Sequence, residues 1–207
     1  DQMHTAGPKR DFNWRLLTPE RAYAAGFRRL GVGPLYGLAD WRFEALAAAA
    51  HVQYLLRTCW KSYITISLPR LRPCAGEFQP LTQMSDREMV QLVCAYRIMF
   101  PDVGLVLSTR ESPTLRNGLI PLGITMVSAG SHTEPGGYTG AGKEKLHHTQ
   151  KGRVVELGAS EWANANEAGA TGQFQIADER SAQEVAELLR RLGYEPVWKD
   201  WDAALTT

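Results

Sequence analysis

The chain has 207 residues, with 44% hydrophobic and 22% charged residues and a net charge of +1, the make-up of a folded globular protein long enough to bury a core. A charge so close to neutral excludes the basic excess of a nucleic-acid binder. No apolar run reaches the about 18 residues that suggest a membrane span, because FEALAAAAHVQYLL is broken by Glu44, His51 and Gln53.

The opening DQMHTAGPKRDFNW has the pattern of neither a signal nor a transit peptide and no initiator Met, so a segment from the middle of a longer chain is expected. TPERAYAAG (18–26) reads as a helix with Thr18 as N-cap, Pro19 in its first turn and Gly26 as its stop. FRRLGVGPLYGL (27–38) reads as a strand entering a glycine-rich loop. Residues 40–60 read as a long Ala-rich helix capped by Asp40. SYITISLP (62–69) is a β-branched strand, and residues 85–100 form a helix opened by the capping box Ser85-x-x-Glu88. VGLVLST (103–109) is a third strand. A short helix begins near Pro113, and LGITMVSAG (122–130) is a fourth strand. Residues 139–172 lack apolar periodicity and read as a polar loop excursion. Beyond them, Gln173 to Ile176 is a short extended piece. Ser181-x-x-Glu184 then caps a helix with Val185, Leu188, Leu189 and Leu192 on one face and Gly193 as its stop.

Strands alternating with helices run parallel through right-handed crossovers. The fold class is therefore α/β, as part of either a doubly wound sheet or a (β/α) barrel. Each strand leads into polar or glycine-rich residues, at GPLYGL, PRLRPC, TRES and SAGSHTEPGGY. The chemistry accordingly sits on one rim, at the C-terminal strand ends.

Arg110, flanked by Ser108 and Thr109, suits a carboxylate or phosphate, since a guanidinium offers two parallel hydrogen bonds and hydroxyls add donors. Ser108 and Arg110 share a face if the strand persists. The competing assignment is an ion pair of Arg110 with Glu111 or across strands. Arg70 and Arg72 repeat the theme and need either an anion or acidic neighbours. The spacing G-x-G-x-x-x-G over Gly31, Gly33 and Gly37 is not the dinucleotide fingerprint, though it permits close backbone approach to a ligand. Cys59, Cys74 and Cys94 are 15 and 20 residues apart, without metal-ligand spacing. They read as reduced structural cysteines of a cytoplasmic protein, with a nucleophilic Cys74 as the minor alternative. His132 reads as a rim residue facing solvent.

The segments GPKRDFNWRLLTPERAYAAGFRRLGVGPLYGLADWR, SLPRLRPC, LSTRESP, VSAGSHTEPGGY and GYEPVWKDWD together resemble the 2-iminoacetate synthases. These are the ThiH-type tyrosine lyases of thiamine biosynthesis, in the radical S-adenosylmethionine (radical SAM) superfamily. The resemblance runs from about Gly7 to Tyr138 and from about Gln173 to Leu205. It implies the C-terminal half of a radical SAM (β/α) TIM-type barrel in residues 1–138, about four parallel strands with helices. Residues 173–207 then form a C-terminal helical tail, the region associated with biotin and thiamin synthesis. It implies S-adenosylmethionine and a [4Fe-4S] cluster as cofactors, and cleavage of the Cα–Cβ bond of L-tyrosine to 2-iminoacetate and p-cresol. It further implies tyrosine-carboxylate binding by Arg110 and Ser108, with Arg70, Arg72 and Ser128 lining the pocket. Gly31, Gly33, Leu35 and Gly37 are the implied contacts to S-adenosylmethionine, and thiazole synthase is the implied consumer of the product.

The family holds its cluster with CxxxCxxC, which is absent here. The first four barrel strands are absent too, so an N-terminal half, in cis or in trans, is an expected partner. The alternatives are a non-catalytic half-barrel that acts only as a binding module, and a cluster-independent enzyme using His132 or Cys74.

Overall fold

The computed structural model describes residues 6–71, 79–133, 148–150, 153–155 and 176–198. After a 3-10 turn at Pro8–Arg10 come two short helices, α1 (Phe12–Leu16) and α2 (Thr18–Ala24). They are followed by β1 (Arg29–Val32), α3 (Trp41–Thr58), β2 (Tyr63–Ser67), α4 (Asp86–Met99), β3 (Gly104–Leu107), α5 (Pro113–Leu119) and β4 (Met126–Val127). Next come β5 (His148–Gln150), β6 (Arg153–Val155) and α6 (Ala182–Arg191).

Strands β1 to β4 form one parallel sheet in the spatial order β1-β2-β3-β4. Every crossover steps to the next position in the same direction. A doubly wound sheet reverses its order at a switch point, and this sheet has no reversal. The choice left open by the alternation of elements thus falls to an arc of a (β/α) barrel.

Alternation along the strands makes two unlike faces. Leu30, Ile64, Ile66, Leu68, Leu105 and Leu107 point to one side and are buried. They pack with Ala45, Ala49, Val52 and Leu55 of α3, with Met89, Leu92, Val93 and Tyr96 of α4, and with Leu119 of α5. Arg29, Gly31, Thr65, Ser67, Val106 and Met126 point the other way, and all are exposed or half-buried. The helical layer covers the first face. The second is the concave, barrel-interior face.

The helix ends obey local chemistry. The Asp40 carboxylate accepts from the backbone of Arg42 and Phe43, and both capping boxes, Ser85 with Glu88 and Ser181 with Glu184, are complete. Thr18 departs from expectation. It is the first residue of α2 rather than its cap, and its hydroxyl donates to the Trp14 carbonyl at 3.1 Å. The cause is α1, a helix capped by Asp11 that runs almost directly into α2. The fourth strand is shorter than 122–130 because Ile120–Leu122 forms a 3-10 turn and Gly123 takes φ 116. On α6, Val185 and Leu188 are buried as expected, but Leu192 lies past the helix and is 41% exposed. Antiparallel pairing of β5 with β6 places a small hairpin within the stretch expected to be loop throughout.

Candidate active site

The ends of β3 and β4 carry the rim chemistry. Register pairs Val106 with Met126 and Leu107 with Val127, and the Ser128 amide donates to the Leu107 carbonyl at 3.0 Å. Ser108 and Ser128 are therefore neighbours just past paired strand ends. Burial keeps alternating beyond the strand: Leu107, Thr109 and Glu111 are buried, whereas Ser108 and Arg110 are half-buried. Ser108 and Arg110 thus share the concave side. The Ser108 hydroxyl oxygen accepts from the Arg110 amide at 3.2 Å. That bond sets the turn and engages the hydroxyl oxygen as acceptor, so the hydroxyl can still donate.

Ser67 at the end of β2 completes the row, since it pairs in register with Val106. The sequence reading passed over it. The usable signal was period-2 alternation, which puts Thr65 and Ser67 on the face of Ser108 once β2 and β3 are paired.

Arg70 is corrected. It follows Leu68 on the helical side and is 8% exposed. Its Nε lies 3.0 and 3.1 Å from the two Glu111 oxygens, and one Nη donates to the Met84 carbonyl at 2.9 Å. The other pairs with Glu111 and, at 2.7 Å, with Asp86. All its side-chain nitrogens are engaged, and it borders a small cavity shared with Tyr36, Leu71, Pro80 and Thr82. Glu111 has Arg70 for its partner, the interstrand version of the ion pair weighed for Arg110. Arg72 and Cys74 lie outside the described residues.

The glycine run answers first to packing. A Cβ on Gly33 would lie 2.9 Å from the Ser67 carbonyl oxygen. Gly37 has φ +127, and a Cβ there would lie 2.9 Å from the Leu71 Cβ. Gly31 and Gly33 are exposed on the concave side, whereas Gly37 is buried and Leu35 half-buried. Gly31 and Gly33 therefore suit close approach of a cofactor, and Gly37 serves the turn.

The described residues do not fit a [4Fe-4S] cluster. Cys59 is buried and Cys94 half-buried, and no group of three or more His, Cys, Asp or Glu positioned to hold a metal exists among the described residues. Among those residues, no helix is long and apolar enough to cross a membrane.

A second ionic group lies behind the rim. Asp178 and Arg116 are both almost fully buried and paired with each other. Arg180 adds hydrogen bonds to Asp178 at 2.8 and 2.6 Å. Burial works to raise the Asp178 carboxyl, but the hydrogen bonds from Arg180 and the charge of Arg116 outweigh it and hold the group below its ordinary range. The amides of Ala177 and Asp178 donate to the Thr109 carbonyl at 2.9 and 3.1 Å. This packing of 176–180 onto β3 was not foreseen.

Residues 67–195 match the Biotin and Thiamin Synthesis associated domain. The chain belongs to this family. It is also similar to curated proteins named 2-iminoacetate synthase. The Escherichia coli (strain K12) protein is 40% identical over 203 residues, 98% of this chain and 47% of its own length. The Salmonella typhimurium protein is 40% identical over 99% of this chain and 48% of its own length. This family member thus spans about half the length of the curated relatives it matches. Its fold superposes on part of HydG, a maturase of the [FeFe]-hydrogenase, with a TM-score of 0.74 at 33% identity, covering 96% of this chain and 38% of that one. The HydG of Carboxydothermus hydrogenoformans gives 0.71 at 34% identity, covering 97% of this chain and 40% of that one.

Proposed function

We propose that this chain is the substrate-binding part of a radical S-adenosylmethionine lyase that cleaves the Cα–Cβ bond of L-tyrosine to 2-iminoacetate and p-cresol. One observation supports the reading: Ser108 and Ser128 follow paired strand ends, and Arg110 is half-buried like Ser108 two residues before it. A guanidinium flanked by two hydroxyls suits a carboxylate held in fixed orientation. Arg110 pairs with the tyrosine carboxylate, Ser108 donates its hydroxyl proton to it, and Ser128 closes the neighbouring side. Arg72 is a further proposed lining residue. Gly31 and Gly33 keep the wall low where S-adenosylmethionine approaches.

Radical generation belongs to a cluster-bearing N-terminal part, in cis or in trans, and thiazole synthase consumes the 2-iminoacetate. The 40% identity to two 2-iminoacetate synthases supports the choice of substrate. The test is Arg110→Ala in the enzyme assembled from this chain and a cluster-bearing part. p-Cresol formation is expected to vanish while iron content stays that of the wild type. Undiminished p-cresol removes Arg110 from the substrate role.

A further inference from the structure

The two rims that carry the proposed carboxylate site are both tied to one distant segment, residues 177–180. Thr109 lies between Ser108 and Arg110, and its carbonyl accepts from the amides of Ala177 and Asp178. On the β4 side, the Gly130 amide donates to the Arg180 carbonyl at 3.0 Å. Arg116 of α5 makes the third tie, donating one Nη to the Ser128 carbonyl and the other to Asp178. The Asp178 carboxylate grips the Arg116 and Arg180 side chains together, and its oxygen accepts from the Arg180 amide at 3.1 Å, holding the backbone segment that makes the other two ties.

We infer that Asp178 is a positioning residue for the anion site, acting through Arg116 on Ser128 and through Thr109 on Ser108 and Arg110. The inference rests on the carboxylate-binding reading of those three residues. The electrostatics give the reason. Arg116 is 1% exposed and Asp178 fully buried, and among the described residues the Arg116 Nε has no hydrogen-bond partner. Neutralising Asp178 leaves two guanidinium groups facing each other without their shared anion. Arg116 then leaves its place, the Ser128 carbonyl loses its donor, and the rim that carries Ser128 shifts relative to Ser108. A carboxylate gripped from both rims is sensitive to such a displacement, and a ligand without a carboxylate is not.

The experiment uses the assembled enzyme and two ligands: L-tyrosine as substrate, and tyramine, which lacks the carboxylate, as competitive inhibitor. For Asp178→Asn the KM for tyrosine is expected to rise about tenfold or more, with the tyramine inhibition constant within about twofold of wild type. Arg180→Gln removes a less buried member of the group and is expected to show the same selective loss at about threefold, so the test survives if Asp178→Asn does not fold. Parallel weakening of both ligands, or no change in either, overturns the positioning role. A wild-type enzyme that binds tyramine as well as tyrosine overturns the carboxylate reading itself, an outcome visible before any variant is made.

Discussion

Arg110 and Glu111 adjoin in sequence, and strand alternation sends them to opposite faces of the sheet. Arg110 joins Ser108 on the concave side, while Glu111 turns to the helical layer and takes Arg70. The two arginines of this rim therefore lie on opposite sides of the sheet. Glu111→Gln is expected to lower stability by about 3 kcal/mol, because it leaves the buried Arg70 charge undercompensated, and chemical denaturation of the chain checks it. Asp178 gives a pH dependence with a definite sign. Its carboxyl titrates lower in the fold than in the unfolded chain, so its contribution to stability is full above the ordinary carboxylate pKa of about 3.9. The contribution is lost as pH falls through the lower, folded value. Thermal unfolding followed downward from neutral pH is expected to show this acid loss, and Asp178→Asn is expected to flatten it.

At the scale of elements, the two capping boxes and the Asp40 cap were legible because each is a bond between residues two or three apart. The four strands were legible from β-branched, apolar runs. α1 was not, since a five-residue helix with no buried residue has no periodic apolar face to read. The ion pairs Arg70–Glu111 and Arg116–Asp178 span 41 and 62 positions. Their partners are fixed by sheet order and by the docking of 176–180, neither of which local pattern contains. The same holds for the Tyr96 hydroxyl, which donates to the Ala45 carbonyl at 2.8 Å and meets the Tyr36 hydroxyl at 3.3 Å. This bond joins α4 to α3 inside the core. Tyr96→Phe is expected to cost about 1–2 kcal/mol, since it leaves both groups short of a partner, measured as a shift in denaturation midpoint with unchanged slope.

At the scale of the molecule, the sheet is an arc with one covered face and one open face. Among the described residues, β1 and β4 each have one paired neighbour, so both edges offer unpaired backbone groups, a template for further strands. Large side chains such as Phe12, Trp14, Phe43 and Trp60 are more than half exposed. The chain by itself is therefore expected to self-associate in light scattering, and to associate less when a cluster-bearing part is present. After anaerobic reconstitution alone it is expected to show no iron–sulfur absorbance. A stoichiometric four-iron cluster on this chain contradicts that assignment. The chain matches about half of each curated relative, in keeping with a sheet that is an arc and not a closed barrel.

The most direct test joins this chain to the part of the Escherichia coli 2-iminoacetate synthase that it does not match and assays tyrosine cleavage. The expected result is p-cresol and 2-iminoacetate from the combination and neither from this chain alone. Reductive cleavage of S-adenosylmethionine to 5′-deoxyadenosine without p-cresol, by a combination carrying a full cluster, would contradict the assignment of this chain as the tyrosine-binding part.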